Sequence, residues 1–124
     1  MNKNLIITSL LGIIAIVLGA FATHILEERL ESDALASLEV AIRYQMYHVI
    51  VLLFVNTFKG FSPRSKNIIS TIFFLGILFF SGSIFAIHLL NIPARIIWFI
   101  TPVGGILLII GWVFMLISFL KKTE

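Results

Sequence analysis

The 124 residues include no cysteine and only three prolines. Without cysteine there can be no disulfide, thiolate metal site, iron–sulfur cluster or cysteine nucleophile, and the redox compartment goes unmarked. Charge is scarce as well, at 12% of residues. Against that, 60% of the chain is apolar. A soluble domain of this size leaves too much surface in water to hide such a fraction. An ordinary soluble enzyme and a disordered tail are therefore excluded. The composition points to an integral membrane protein, read from apolar runs of ~20 residues.

Further absences narrow the function. No Gly-rich loop leads into a helix carrying a Lys, so nucleotide binding has no support. No acidic residue falls inside an apolar run, which argues against an ordinary proton-coupled transporter. The runs show no internal repeat. Nothing calls for a cofactor, and the net charge of +3 is read as a topology signal, not a nucleic-acid footprint.

Four spans are expected at about 5–26, 41–58, 68–90 and 96–120, in a single membrane domain covering 1–124. The spans leave too few residues for a separate soluble domain. The expected fold is all-α, a four-helix transmembrane bundle. Of nine basic and six acidic residues, only Arg43 lies inside a span. With both termini inside, Lys3, Lys59, Arg64, Lys66, Lys121 and Lys122 face the cytoplasm, against Arg29, Arg43 and Arg95 outside. This balance predicts an N-in, C-in topology. Ala20-Phe21-Ala22 has the form of a signal-peptidase site, but the single Lys before the run favours a retained span.

Residues 27–40 are acidic, and Leu30, Ala34, Leu35, Leu38, Ala41 and Ile42 recur at helical spacing. This predicts a short amphipathic segment before the second span, lying at the interface or running straight into it. Ser32 or Asp33 is suited to cap its first turn, and Glu39 precedes Arg43 in the favoured i,i+4 order. Pro63 is expected to break the chain between spans two and three. Gly12, Ala15, Gly19 and Ala22 form a small-residue stripe on the first span, and Gly82 and Gly111 are further helix-packing candidates.

Depth at ~1.5 Å per residue places most intramembrane polar residues in the outer half, leaving the inner half nearly pure Leu, Ile, Val and Phe. The candidate ligand-binding set is His24, Arg43, Tyr44, Gln45, His48, Ser81, Ser83, Thr101, Gly104 and Gly105. Polar groups in a membrane are costly, so their concentration suggests a site. Arg43 would pair with a phosphate, while the neutral groups hydrogen-bond a head group. The competing structural account is that these groups hold helices together. Thr101-Pro102 can start a helix whose N-terminus, beside Gly104 and Gly105, receives an anion. Alternatively the fourth span is one Pro-kinked helix from Ile96, with the glycines serving close packing.

His24, His48 and His88 would be the ligands of any metal or haem, although no pair has ligand spacing. They could also sense pH. Ser81 or Ser83 with His48 resembles a hydrolase pair only remotely, because no intramembrane carboxylate orients the base. No catalytic residues are assigned, and a non-enzymatic function is expected.

Several motifs, in order, carry a family resemblance: Gly19-Ala20-Phe21-Ala22-Thr23-His24, Tyr44-Gln45-x-x-His48, Phe80-Ser81-Gly82-Ser83, Thr101-Pro102-x-Gly104-Gly105 and Gly111-Trp112. The set resembles domain-of-unknown-function family 423, the small YgdD/YwdK-type bacterial membrane proteins, to which animal transmembrane protein 256 is similar. It covers essentially the whole chain. The family commonly has Gly where Ala22 stands and Ala where Thr23 stands. The resemblance implies a four-span bundle of the cytoplasmic (inner) membrane and supplies no reaction. Membrane lipids are the expected partners, through the outer polar cluster. A structural partner in a membrane complex or a homo-oligomer, with the stripe of span one facing another chain, is the alternative.

Overall fold

The computed structural model describes residues 2–122, the side chains of Thr23 and Lys122 excepted. The long helices are α1 (Lys3–His24), α2 (Ser32–Thr57), α3 (Pro63–Leu89) and α5 (Ile100–Lys122); α4 is a single turn, Ala94–Ile97. Among the described residues there is no strand. The four long helices are each apolar and long enough to cross a membrane. At 22 to 27 residues, they measure ~33 to 40 Å.

Local chemistry fixes the ends. α1 is an unbroken apolar run that passes into a 3₁₀ turn, Leu26–Glu28, where the acidic residues cluster. The amphipathic segment is not separate from the second span. Residues 32–40 are the first part of α2, which therefore begins at Ser32, while 27–31 lie in the 3₁₀ turn and the link that lead into it. Neither Ser32 nor Asp33 caps that helix: Glu31 takes the cap position, extended at φ −62 and ψ 153, with no side-chain cap bond. Asp33 instead sits in the first turn, where its charge suits the helix dipole.

Pro63 starts a helix instead of separating two. Its missing N–H and fixed φ suit the first position of α3, and Ser62 caps the turn by accepting from the Ser65 amide at 3.1 Å. At its other end, α3 stops where Asn91 turns left-handed (φ 57) and the Ile92 amide reaches the Ala86 carbonyl. Pro93 prevents continuation. The separate turn α4 and a helix from Ile100 resolve the two accounts of the fourth span in favour of a break before Thr101.

Successive long helices run antiparallel, so both termini lie at one end of the bundle, called here the terminal end. α2 and α3 form the central pair and bury the larger shares of their surfaces; α1 flanks α2 and α5 flanks α3. The small-residue stripe of α1 faces α2. Gly12 lies over Val49, Gly19 over Ile42, and Ala15 and Ala22 are buried. The α3–α5 seam is tighter. A Cβ on Gly76 would come within 2.7 Å of Leu108, one on Gly111 within 2.6 Å of the Phe73 ring, and one on Gly104 would overlap the backbone of Phe79 and Phe80. Only glycine allows that approach. Gly82, by contrast, has only Leu78 of its own helix nearby.

The apolar core occupies the half nearer the terminal end. Leu52 and Val55 of α2 pack with Ile69, Phe73 and Ile77 of α3 and with Leu108 and Met115 of α5. Phe61 of the α2–α3 loop folds in, and its ring lies 4.8 Å from Phe119.

Candidate functional site

The candidate polar residues do not share one cavity; the structure distributes them over several helix contacts. Gln45, 2% exposed, donates from Nε2 to the Leu11 carbonyl at 2.7 Å and ties α2 to α1. Ser81, 1% exposed, donates to the Ala41 carbonyl at 2.7 Å and ties α3 to α2. The Ser83 hydroxyl donates to Phe80 O, so in the very short Ser83–Thr101 contact Thr101 is the donor. That bond ties α5 to α3. Thr101 thus lies inside the helix and does not cap it. Gly104 is buried in the same seam, and Gly105 sits 3.8 Å (from its ideal Cβ) off the Phe80 ring.

His48 joins three helices. Its Nδ1 lies 2.7 Å from the Tyr44 carbonyl, and Trp112 Nε1 donates to its Nε2 at 3.1 Å. An indole N–H can only donate and a carbonyl can only accept, so the ring is neutral with its proton on Nδ1. The Phe73 ring packs at 5.3 Å. Both ring nitrogens are committed, and neither lone pair is left for a metal. Nine residues from the end of α2, His48 lies ~14 Å from the terminal end, near mid-bundle. The expectation of an outer-half position fails because α2 starts nine residues earlier than the expected span. Among the described residues no group of three or more His, Cys, Asp or Glu is placed to hold a metal.

Tyr44 is on the surface, stacked on Phe80 at 5.2 Å and beside Tyr47. His88 occupies the last turn of α3, part-buried. Among the described residues, His24 and Arg43 line an open groove together. It runs along α1 and α2 with a volume of about 440 Å³, and its floor is the small side of α1: Ala15, Gly19 and Ala20. Ile16, Ile42 and Met46 supply apolar walls. Glu39 borders an adjoining opening that shares Gly19, Ile42 and Arg43.

The terminal half is not purely apolar. Asn4 Nδ2 donates to Asn56 Oδ1 at 3.0 Å and to Asn67 Oδ1 at 2.9 Å; Asn56 Nδ2 donates to the Leu52 carbonyl and to Ser70 Oγ. Thr8 and Ser70 are fully buried beside it, with Thr8 donating to the Asn4 carbonyl. This network links α1, α2 and α3. Sequence reasoning missed it by counting Asn4 and Asn67 as tail and loop. With α3 started at Pro63, Asn67 falls inside the second turn of α3, within reach of Asn4 at the start of α1, while Asn56 is in the last turn of α2. Throughout the described residues, every buried side-chain N or O atom has a partner.

These features define a small four-span integral membrane protein whose buried polar groups bond helix to helix. The chain belongs to the DUF423 family: the family profile, described as "Protein of unknown function (DUF423)", matches residues 18–105. It is similar to a UPF0382 membrane protein of Staphylococcus saprophyticus, 39% identical over 121 residues, covering 98% of this chain and 99% of the relative. A UPF0382 membrane protein of Haemophilus influenzae is 38% identical over 112 residues, covering 90% and 89%. No solved structure matches the chain.

Proposed function

We propose that this protein is a non-enzymatic lipid-binding protein of the cytoplasmic membrane, oriented N-in and C-in. The groove between α1 and α2 receives the lipid. One observation carries this reading: a guanidinium and an imidazole, Arg43 and His24, rim a trough floored by Ala15, Gly19 and Ala20. Arg43 can pair with a phosphate through its planar fork, and His24 can hydrogen-bond the same head group. The small floor leaves room for an acyl chain against Ile16, Ile42 and Met46.

The set of participating residues is smaller than the sequence suggests. Gln45, His48, Ser81, Ser83 and Thr101 are occupied between helices. A non-enzymatic role is supported by their separation, since Ser81, Ser83 and His48 each face a different partner and make no nucleophile–base pair.

Native mass spectrometry of the protein released gently from detergent tests the proposal. A defined lipid adduct is expected, weakened by Arg43→Ala and by Ala20→Phe, which fills the floor while leaving the charges in place. An adduct indifferent to both substitutions refutes the groove. A clean chain without adduct moves the assignment to a structural partner in a membrane complex.

A further inference from the structure

A larger groove, about 610 Å³, lies at the terminal end between the start of α3 and the end of α5. The seam register explains why these segments meet. Phe73 lies against Gly111 and Gly76 against Leu108, and continuing that antiparallel register sets Lys121 beside Pro63 and Arg64. Arg64 and Lys121 line the groove together, over a floor of Phe61, Ile69, Phe114 and Ile117. The helix N-terminus is not the attraction. Pro63 has no N–H, and the Ser65 amide is already held by Ser62. The hydroxyls add little: Ser118 donates to the Phe114 carbonyl and Ser62 donates to Ser65 Oγ, so only the Ser65 proton is left to offer. What the groove offers is two cationic side chains above an apolar slot.

The charges of the chain are segregated. Five of the six acidic residues lie between Glu27 and Glu39, toward the opposite end; the sixth, Glu124, lies outside the described residues. Among the described residues no carboxylate lines the groove. A pair of cations over aromatic and aliphatic side chains, at a helix end that meets the membrane surface, matches a ligand with an anionic head and apolar tails.

We propose that this groove is a second lipid site, specific for an anionic phospholipid of the leaflet at the terminal end. It is distinct from the α1–α2 groove. Arg64 and Lys121 grip the phosphate from two helices, and the slot seats the upper acyl chain. The small Ser118 contributes space.

The test uses the full chain carrying Arg43→Gln, which silences the other groove, in dodecyl maltoside. It is titrated with phosphatidylglycerol and, separately, with phosphatidylcholine of the same acyl chains. Bound lipid is counted by native mass spectrometry. One phosphatidylglycerol should bind in preference to phosphatidylcholine. Arg64→Gln with Lys121→Gln should weaken it about 30-fold, at the usual worth of two juxtamembrane cations, and leave phosphatidylcholine unchanged. Ser118→Phe should weaken phosphatidylglycerol with both cations in place, which a diffuse basic belt would not show. The proposal is overturned by equal binding of the two lipids, by unchanged affinity in the double variant, or by indifference to Ser118→Phe. Inorganic phosphate binding as tightly as the lipid would also overturn it, in favour of a free-anion site.

Discussion

Two adjacent glycines offer a matched experiment. Gly104→Ala and Gly105→Ala make the same chemical change one residue apart on α5, yet the structure assigns them opposite outcomes. A Cβ at position 104 would overlap the Phe80 amide and lie 2.6 Å from the Phe79 carbonyl carbon. Those atoms belong to the α3 backbone and cannot rotate away. Ordinary carbon contacts need ~3.5 Å or more, so α5 must move off α3 by about 1 Å. The shift also loosens the Leu108–Gly76 and Phe73–Gly111 contacts and stretches the Ser83–Thr101 bond. Overpacking of this kind costs about 2–3 kcal/mol, or roughly 30- to 150-fold in the folded-to-unfolded ratio. A Cβ at position 105 meets nothing nearer than 3.8 Å, and alanine favours helix over glycine by up to ~1 kcal/mol. That variant should be neutral or slightly more stable. Unfolding by sodium dodecyl sulfate in mixed micelles, followed by the fluorescence of Trp98 and Trp112, measures both. Equal midpoints for the two variants would refute the close approach of α3 and α5 at Phe80.

Two other substitutions probe the polar contacts. In a double-mutant cycle, Asn4→Leu and Asn56→Leu should couple by ~0.6 kcal/mol, the average for a hydrogen bond between membrane helices; strict additivity in the same unfolding assay would show that the Asn4–Asn56 bond contributes nothing. Ser62→Ala removes the cap of α3 and should cost ~1 kcal/mol. Faster amide exchange confined to the first turn of α3 would accompany it, and unchanged exchange there would refute the cap.

Four apolar runs sufficed to read an all-α membrane bundle, because hydrocarbon leaves little choice other than helices. Helix ends were harder. The acidic stretch 27–40 was legible as a helix, but whether it joined the second span depended on tertiary contacts that hydropathy does not report. Its fusion to α2 moved His48 from the outer half to the middle of the bundle. Pro63 is equally good at ending one helix and at opening the next, and the second role placed Asn67 and Ser70 inside α3. The candidate cluster was legible as residue types at roughly shared depth. Depth does not give azimuth, however, and Gln45, His48, Ser81 and Ser83 point to different neighbours. The stripe on α1 was visible as small residues at helical spacing, whereas its partner, α2, was not. His24 and Arg43 share a groove because the small residues Ala15, Gly19 and Ala20 lie between them.

The α2–α3 interface has a consequence for motion along the membrane normal. Its core is made of Leu52, Val55, Ile69, Phe73 and Ile77, whose apolar attraction is non-directional. Hydrogen bonds are directional and fix the register. Asn56 to Ser70 near the terminal end and Ser81 to Ala41, ~12–14 Å from the other end, act as two pins through the same pair of rods. His48 to Trp112 adds a third between them, at mid-height. A one-turn displacement of ~5.4 Å releases all of them at once, so no intermediate position is stabilised. The two hairpins, α1–α2 and α3–α5, are thereby indexed to one relative height, and their polar rims are held level with the same plane of the bilayer.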